Sequence, residues 1–593
     1  MALRPVRRPE IDRVLFIVLR EMRRPLLVLI GTYAVAILGM ALVPGRDGEP
    51  MSLFHAFYFV MYTATTTGFG EIPEPFSDAQ RLWASFCLFA TVVAWLYSIG
   101  AIIRLLQNPY FQLTVSEWRL SRAVRRLPES FYILCGFGDT GSLLARGFSD
   151  YGISAVVLDK DENRIRALRL RDYTVPMPGL VADAGMPRYL VDAGVDSERC
   201  RGVIALTSDE ETNLKIAAIA RLINPEAQVI AKSASQVHEE TLMTLGPKTA
   251  FVDPFKVFAK LLGAAICEPK LYILNEWLTW SRGVKLTSEI KPPPRGHWII
   301  SGYGRMGREV YKTLKQYRLS VAVIDPEPPV GDDVEIYIRG RTTARTLRAA
   351  GIEKAVGIIA ATDDDGHNLS ILLAARQLRP GIYTVVRQNR HQNEIAFQAA
   401  EVDMIMQPSL ITARQILLMV VAPRLRSLYV YLVRECRQGR REVLDRLVER
   451  LQERIGERQP WLKSYRISPA ETPTLIQALQ AGAPVYLEDL LRSPSDRKEP
   501  LSLIPLVLLR QGQELLLPPE EIPLQEGDEI LFCGSRSGLL QLEAIFHNEY
   551  LLHYLLTGKE RPHGYLAQWF CRWLGEGVGS WPRRRELRRG PGW

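Results

Sequence analysis

Three stretches of the chain combine residue types and spacings suited to chemistry. Gly136-x-Gly138-x-x-Gly141 follows the apolar run FYILC and precedes Asp159 at the end of AVVLD; Gly302-x-Gly304-x-x-Gly307 follows HWIIS and precedes Asp325. Glycines at this spacing let a phosphate reach the N-terminus of the next helix, and an acid 23 residues after the first glycine is placed for ribose hydroxyls. A lone glycine turn is a weak signal; with a strand before it, a helix after it and the acid beyond, each becomes a dinucleotide-fold fingerprint. The third stretch is TATTTGFGE, residues 63–71, wedged between two long apolar runs. Non-helical backbone at membrane depth persists only where it is buried in protein or lines a watery path.

The two fingerprints are copies of one unit. Each landmark of the second lies 166 positions after its counterpart, and LTSDEETNLKIAAIARLINP recurs as ATDDDGHNLSILLAARQLRP, aligning Thr207 with Thr362 and Asn213 with Asn368 at an offset of 155. Two tandem Rossmann-like α/β units follow. That fold serves many functions, and neither copy leads into a substrate domain with an acid/base pair, so ligand binding rather than catalysis is expected. The first helical position differs between copies. Asp139 disfavours an extra terminal phosphate, so the first copy suits NAD or an adenine nucleotide with few exposed charges, whereas Arg305 suits the phosphates of AMP, ADP or ATP. A purely structural second copy is the alternative, because the loop after Asp325 is rewritten as PEPPVGDD and the adenosine-side acid is replaced near Gly340-Arg341. The acid clusters Asp209-Glu210-Glu211, Asp332-Asp333 and Asp363-Asp364-Asp365 offer carboxylates to Ca²⁺, with Glu210, Asp364 and Asp365 as candidates, or are solvated turns.

The elements that must hold the third stretch are membrane helices. Uncharged runs of 21 residues after Arg24 and 22 residues after Arg81 are each long enough to cross a bilayer, while SLFHAFYFVMYTA between them is too short and suits a re-entrant helix. Net charge is +9, and seven arginines (4, 7, 8, 13, 20, 23, 24) precede the first run while Arg104, Arg119, Arg122, Arg125 and Arg126 follow the second. This distribution points to a membrane surface rather than nucleic acid, puts both termini in the cytoplasm and turns 44–81 outward. The seven cysteines (87, 135, 200, 267, 436, 533, 571) form no CxxC pair and are read as free thiols. Gly100 in the second span is a candidate gating hinge or a helix-packing residue.

Span, short pore helix, Thr65-Thr66-Thr67-Gly68-Phe69-Gly70 and second span resemble the two-span potassium channels, whose filter reads T-V-G-Y-G-D. The resemblance implies K⁺ rings built from the carbonyls of Thr66, Thr67, Gly68 and Phe69, with the Thr66 hydroxyl innermost and Gly70 closing the motif, in a homotetramer in the lipid bilayer. Thr67, Phe69 and Glu71 depart from Val, Tyr and Asp, which leaves a weakly selective cation channel open beside a K⁺-selective one.

The tandem units resemble RCK domains, also called the potassium-uptake nucleotide-binding fold. The resemblance implies that Asp183, in Ala182-Asp183-Ala184, and Thr207 lie near the ligand of the first copy, and Thr362 near that of the second. It also implies that 253–278 is the helix-turn-helix through which RCK domains pair, and that Gly527-Asp528 marks a small C-terminal lobe. The whole chain is similar to tetrameric two-span channels of the plasma membrane with two RCK domains per subunit, gated by a nucleotide. A membrane-anchored NAD-dependent oxidoreductase is the rival class. The domain organisation expected is a basic N-terminus (1–24), pore (25–106), linker (107–129), first RCK domain (130–291), second RCK lobe with its helical pair (295–460), α+β C-lobe (461–550) and tail (551–593), the tail's tryptophans and arginines suiting an anionic bilayer.

Overall fold

The structure is a computed structural model and describes residues 10–65, 67–68, 75–127, 129–233, 235–279, 286, 292–329, 331 and 333–559. Thr66, Phe69, Gly70 and Glu71 of the expected filter, the basic residues before 10, Asp332, and the tail from 560 with Cys571 lie outside these. The chain divides into two compact units: Met1–Ile133 with Ser154–Asp172 and Pro176–Arg201, and Leu134–Ile153 with Tyr173–Val175 and Gly202–Trp593.

The first unit holds helices α1 (Glu10–Leu42), α2 (Leu53–Ala64), α3 (Asp78–Gln107) and α4 (Pro109–Arg125). Val14–Leu42 and Asp78–Gln107 are long and apolar enough to cross a membrane, and α2 is a short apolar helix of 12 residues. Apolar residues all round, exposed along much of α1 and α3, are what a bilayer solvates and water does not. The helices approach closely: a Cβ on Gly39 of α1 would fall 2.2 Å from the ring of Trp83 on α3, whose indole N–H donates to the Ala36 carbonyl at 3.2 Å. Gln80 ties the start of α3 to the chain just after α1, its amide donating to the Val43 carbonyl at 3.2 Å while Ser77 and Gln80 form the capping box of α3. Helix α3 runs unbroken through Gly100, and its interruption comes at Asn108, where Pro109 starts α4. Linker helix α4 then packs on first-copy elements of the same unit, with Glu117 paired to Arg188 and the Arg199 guanidinium donating to the Leu127 carbonyl.

Strands β1 (Phe131–Cys135), β2 (Ser154–Asp159), β3 (Gly179–Val181), β4 (Cys200–Ala205), β5 (Gln228–Lys232) and β6 (Thr249–Val252) form one sheet in the order 3-2-1-4-5-6. Strands β7 (His297–Ser301), β8 (Ser320–Asp325), β9 (Ile336–Arg339), β10 (Ala355–Ala360), β11 (Tyr383–Arg387) and β12 (Met404–Met406) repeat that order as 9-8-7-10-11-12, all pairs parallel. Both are doubly wound Rossmann sheets, and the unbroken apolar runs of β1 and β2 are buried at every residue because helices cover both faces.

In the second unit the copies exchange helices. The crossover helix Pro254–Cys267 of the first packs on Arg305–Gln316 of the second, and Pro408–Val421 of the second packs on Asp139–Asp150 of the first. Glycines allow both approaches: a Cβ on Gly263 would meet the Tyr317 ring at 2.5 Å, and one on Gly147 would meet Leu417 at 2.7 Å. The expected helix-turn-helix is present as Pro254–Cys267 and Pro269–Leu278. The amphipathic stretch after 424 forms Leu425–Arg437 and Glu442–Ile455, which share a core with the C-lobe strands.

That lobe is an antiparallel sheet of β13 (Trp461–Arg466), β14 (Leu503–Arg510), β15 (Gln513–Leu516) and β16 (Glu529–Gly534) in the order 13-16-14-15. Its Gly527-Asp528 turn buries Asp528 against a two-pronged Arg510 contact at 2.9 and 2.7 Å. The boundary expected at 550 falls inside the helix Glu549–Thr557, whose Leu552, Leu555 and Leu556 complete the lobe's core.

Candidate functional site

Between the two membrane-length helices, α2 is capped at Thr65, and the next described residues fold back on it. The N–H groups of Thr67 and Gly68 both point to the Tyr62 carbonyl, at 3.0 and 3.3 Å, and the Thr65 and Thr67 hydroxyls are 3.0 Å apart. Gly68 has φ +62°, a left-handed conformation that side chains rarely adopt, so the turn requires glycine there.

The two glycine-rich turns are built alike. Gly136 and Gly302 have φ +107° and +97°, and a Cβ on Gly141 or Gly307 would fall 2.2 or 2.0 Å from the carbonyl oxygen of the first glycine of its turn. The helices that follow start at Asp139 and Arg305 with Gly138 and Gly304 as N-caps and no side-chain cap. By contrast the helices after β4 and β10 are capped by the Asp209 and Asp364 carboxylates. The first N–H groups of these two helices have no side-chain cap, the arrangement in which a helix N-terminus can take an anion.

Thr207 and Thr362 are each locked by a buried asparagine. The Asn213 Oδ1 accepts from both the N–H and the hydroxyl of Thr207, at 2.9 and 2.8 Å, and its amide donates to the Lys232 carbonyl at 3.0 Å. Asn368 repeats this with Thr362, at 3.0 and 2.7 Å, and with the Arg387 carbonyl at 2.8 Å. These asparagines, at matching positions of the two copies, stitch the ends of the fourth and fifth strands of each.

The acids divide among several tasks. Asp159 is buried, its Oδ1 accepting from the Asp161 N–H at 2.8 Å and its Oδ2 lying 3.4 Å from the Arg164 guanidinium. Asp183 in the same unit accepts from the Gly185 N–H at 2.9 Å and pairs with Lys160 at 3.2 Å. In the second copy Asp325 accepts from the N–H groups of Tyr303, in the glycine turn, at 2.6 Å and of Glu327 at 2.9 Å. Asp365 accepts from the N–H groups of Asn389 and Arg390 and the amides of Asn389 and Asn393. Burial works against its charge, but these donors outweigh it and hold its carboxyl below the ordinary value. The Ca²⁺ candidates are thus otherwise engaged: Asp364 caps a helix, Asp365 clamps a loop and Glu210 is ion-paired, and among the described residues no three metal-binding side chains cluster.

Arg305, the first residue of its helix, is engaged by residues of the first copy. Its guanidinium pairs at 2.9 Å with Glu210 of the first copy and lies 5.3 Å from the centroid of the Phe255 ring. Arg387 stacks 5.0 Å from that same ring. Burial, followed by the nearby Arg305 cation, pushes both the Lys232 ammonium and the Arg387 guanidinium below their ordinary values. Arg305, Arg387 and Lys232 form a cationic cluster beside an uncapped helix N-terminus, with Glu210 as counter-charge. None of this was legible from the fingerprint alone, because Glu210 and Arg305 are 95 residues apart.

These features define a class: two membrane-length helices flanking a short apolar helix, joined to tandem dinucleotide-fold domains. The TrkA-N domain model matches residues 132–252 and 298–408, and the Ion channel model matches residues 26–108. Among particular proteins, Potassium channel protein 1 of Methanocaldococcus jannaschii is 27% identical over 204 residues, covering 34% of this chain and 59% of that protein. Probable potassium channel protein 2 of the same organism is 26% identical over 208 residues, covering 35% and 57%. The match thus spans under two thirds of the length of these relatives. A solved structure of the GsuK channel bound to NAD aligns with a TM-score of 0.47 at 18% identity, over 90% of this chain and 100% of that one.

Proposed function

We propose that the chain is the subunit of a homotetrameric, K⁺-selective channel of the plasma membrane, with both termini cytoplasmic and a gate controlled by nucleotides. The observation that carries this is the backbone after α2, where a left-handed Gly68 and the Thr67 N–H turn back on Tyr62 between two membrane-length helices. In this reading the carbonyls of Thr66, Thr67, Gly68 and Phe69 from four chains replace the water around K⁺, as one chain supplies a quarter of each ring. NAD is the ligand of the first Rossmann lobe, through Gly136, Gly138, Gly141, Asp159, Asp183 and Thr207; a nucleotide with more exposed phosphate is that of the second, through Gly302, Gly304, Arg305, Gly307, Asp325 and Thr362. Each ligand moves the gate by its differential affinity for two arrangements of the lobes, passed to α3 by α4.

Reversal potentials in K⁺/Na⁺ gradients across a planar bilayer test the selectivity. A reversal that follows the K⁺ gradient is expected; one that stays near zero would replace K⁺ selectivity with a weakly selective cation pore. Gly68→Asp is expected to abolish flux while the tetramer survives, and undiminished flux would remove this loop from the conduction path.

A further inference from the structure

Strand pairing places charge in the second lobe that the first lobe does not have. In the first sheet, Asp159 at the end of β2 is in register with Val181 of β3. In the second, Asp325 at the end of β8 is in register with Arg339 of β9, and the Gly340 N–H donates to the Asp325 carbonyl at 3.0 Å, as the Ala182 N–H does to that of Asp159 at 2.9 Å. Valine is therefore replaced by Arg339, and two residues on, Asp183 is replaced by Arg341. Arg345 and Arg348 follow within one short helix. All four arginines are exposed, and none makes an ion pair among the described residues.

We propose that the second lobe takes an adenine dinucleotide bearing a 2′-phosphate on its ribose, the NADP class; this rests on reading that lobe as a nucleotide site. In doubly wound folds the acid ending the second strand bonds the ribose 2′-hydroxyl, and an arginine beside it accommodates a 2′-phosphate instead. Asp325 is already turned to backbone N–H groups on both oxygens, so it braces the glycine turn, and the charge beside it on the ribose side comes from Arg339 and Arg341. A dianionic phosphate there gains two guanidinium partners that have no carboxylate to give up. The same phosphate in the first lobe would meet Asp183, which already holds Lys160. At the other end of the second site, Arg305 and the uncapped helix N-terminus suit the pyrophosphate.

The test is calorimetric titration of the purified full-length chain with NADP⁺, NAD⁺ and ADP. NADP⁺ binding is expected to survive Gly138→Asp and to be lost in Gly304→Asp. Converting the pair to the first lobe's residues, Arg339→Val with Arg341→Asp, is expected to weaken NADP⁺ by about tenfold or more while NAD⁺ binding is unchanged. Arg341→Gln carries the same test, at smaller amplitude, should the double variant melt early. NADP⁺ binding no tighter than NAD⁺ in the Gly138→Asp protein, or unaffected by the arginine changes, would overturn the 2′-phosphate assignment while leaving a nucleotide site. Indifference of all three nucleotides to Gly304→Asp would remove the nucleotide reading of the second lobe and this assignment with it.

Discussion

At matching positions the first Rossmann copy carries Asp139, Val181 and Asp183, and the second carries Arg305, Arg339 and Arg341. Around this inversion the scaffold is nearly identical: the left-handed first glycine, the third glycine against its carbonyl, the uncapped helix and the buried asparagine clamp recur with distances agreeing within a few tenths of an ångström. Duplication has kept what shapes the glycine turn and changed the charges beside it. Backbone geometry and side-chain charge are thus separable in this fold: the first is fixed by sterics a methyl group would violate, the second is set by side chains free to change sign.

The two copies are most sensitive at the sterics they share. Gly141→Ala and Gly307→Ala each force a carbon to about 2 Å from a carbonyl oxygen, and each should cost about 3 kcal/mol or more of stability. Equal losses in thermal melts are expected, and a tolerated change in one copy would show that its turn is already relaxed. Next come the ligand-side changes. Gly138→Asp or Asp159→Ala should abolish the NAD response of the channel while a conducting pore remains, and Gly304→Asp should leave that response intact. A response insensitive to Gly138→Asp would remove the first copy as its sensor.

Asn213→Ala and Asn368→Ala leave a threonine and a strand-end carbonyl without their partner, at about 1–3 kcal/mol each, and denaturant melts should give the two copies similar losses. A smaller effect is expected across the copies. Glu210→Gln should release Arg305 and tighten ADP or ATP several-fold, since a phosphate no longer competes with a carboxylate; weaker binding would instead make Glu210 a support for the site.

The smallest difference is one of pH. Asp253, the N-cap of the first crossover helix, is pushed up to about 6 by burial, against the opposing N–H bonds of Phe255 and Lys256, whereas the second crossover helix has neutral Gln407 at its cap. A folded-state value above the unfolded one of about 3.9 means the stabilising contribution is complete below pH 4 and lost as pH rises through about 6. Asp253→Asn should flatten stability across that window, and an unchanged slope would place the titration elsewhere.

Much of this was legible beforehand because it is local. Two glycine turns, an acid at strand end and a 166-residue offset are properties of short windows, as are two uncharged runs of bilayer length. What escaped is what folding brings together from afar. Glu210 meets Arg305 only because the copies exchange crossover helices, and the offset between copies falls from 166 to 155 between Asp325 and Thr362, so only strand register decides that Arg339 replaces Val181. The acid clusters leave Ca²⁺ ligands and solvated turns both open in sequence; only the fold shows that Asp364 caps a helix and Asp365 clamps a loop.

One feature of the first unit bears on how a signal would travel. Asn108 is at once the C-cap of α3 and the N-cap of α4, its side chain accepting from the Tyr110 N–H at 2.9 Å. Only one residue separates the membrane helix from the linker helix, and the proline after it fixes a further torsion. A coupling this short has almost no backlash: rotation of α4 cannot be absorbed by a slack loop, so it must reach α3 as torque. Lengthening the joint by a few glycines should then uncouple nucleotide binding from conduction while leaving both intact, as a clutch separates an engine from its wheels.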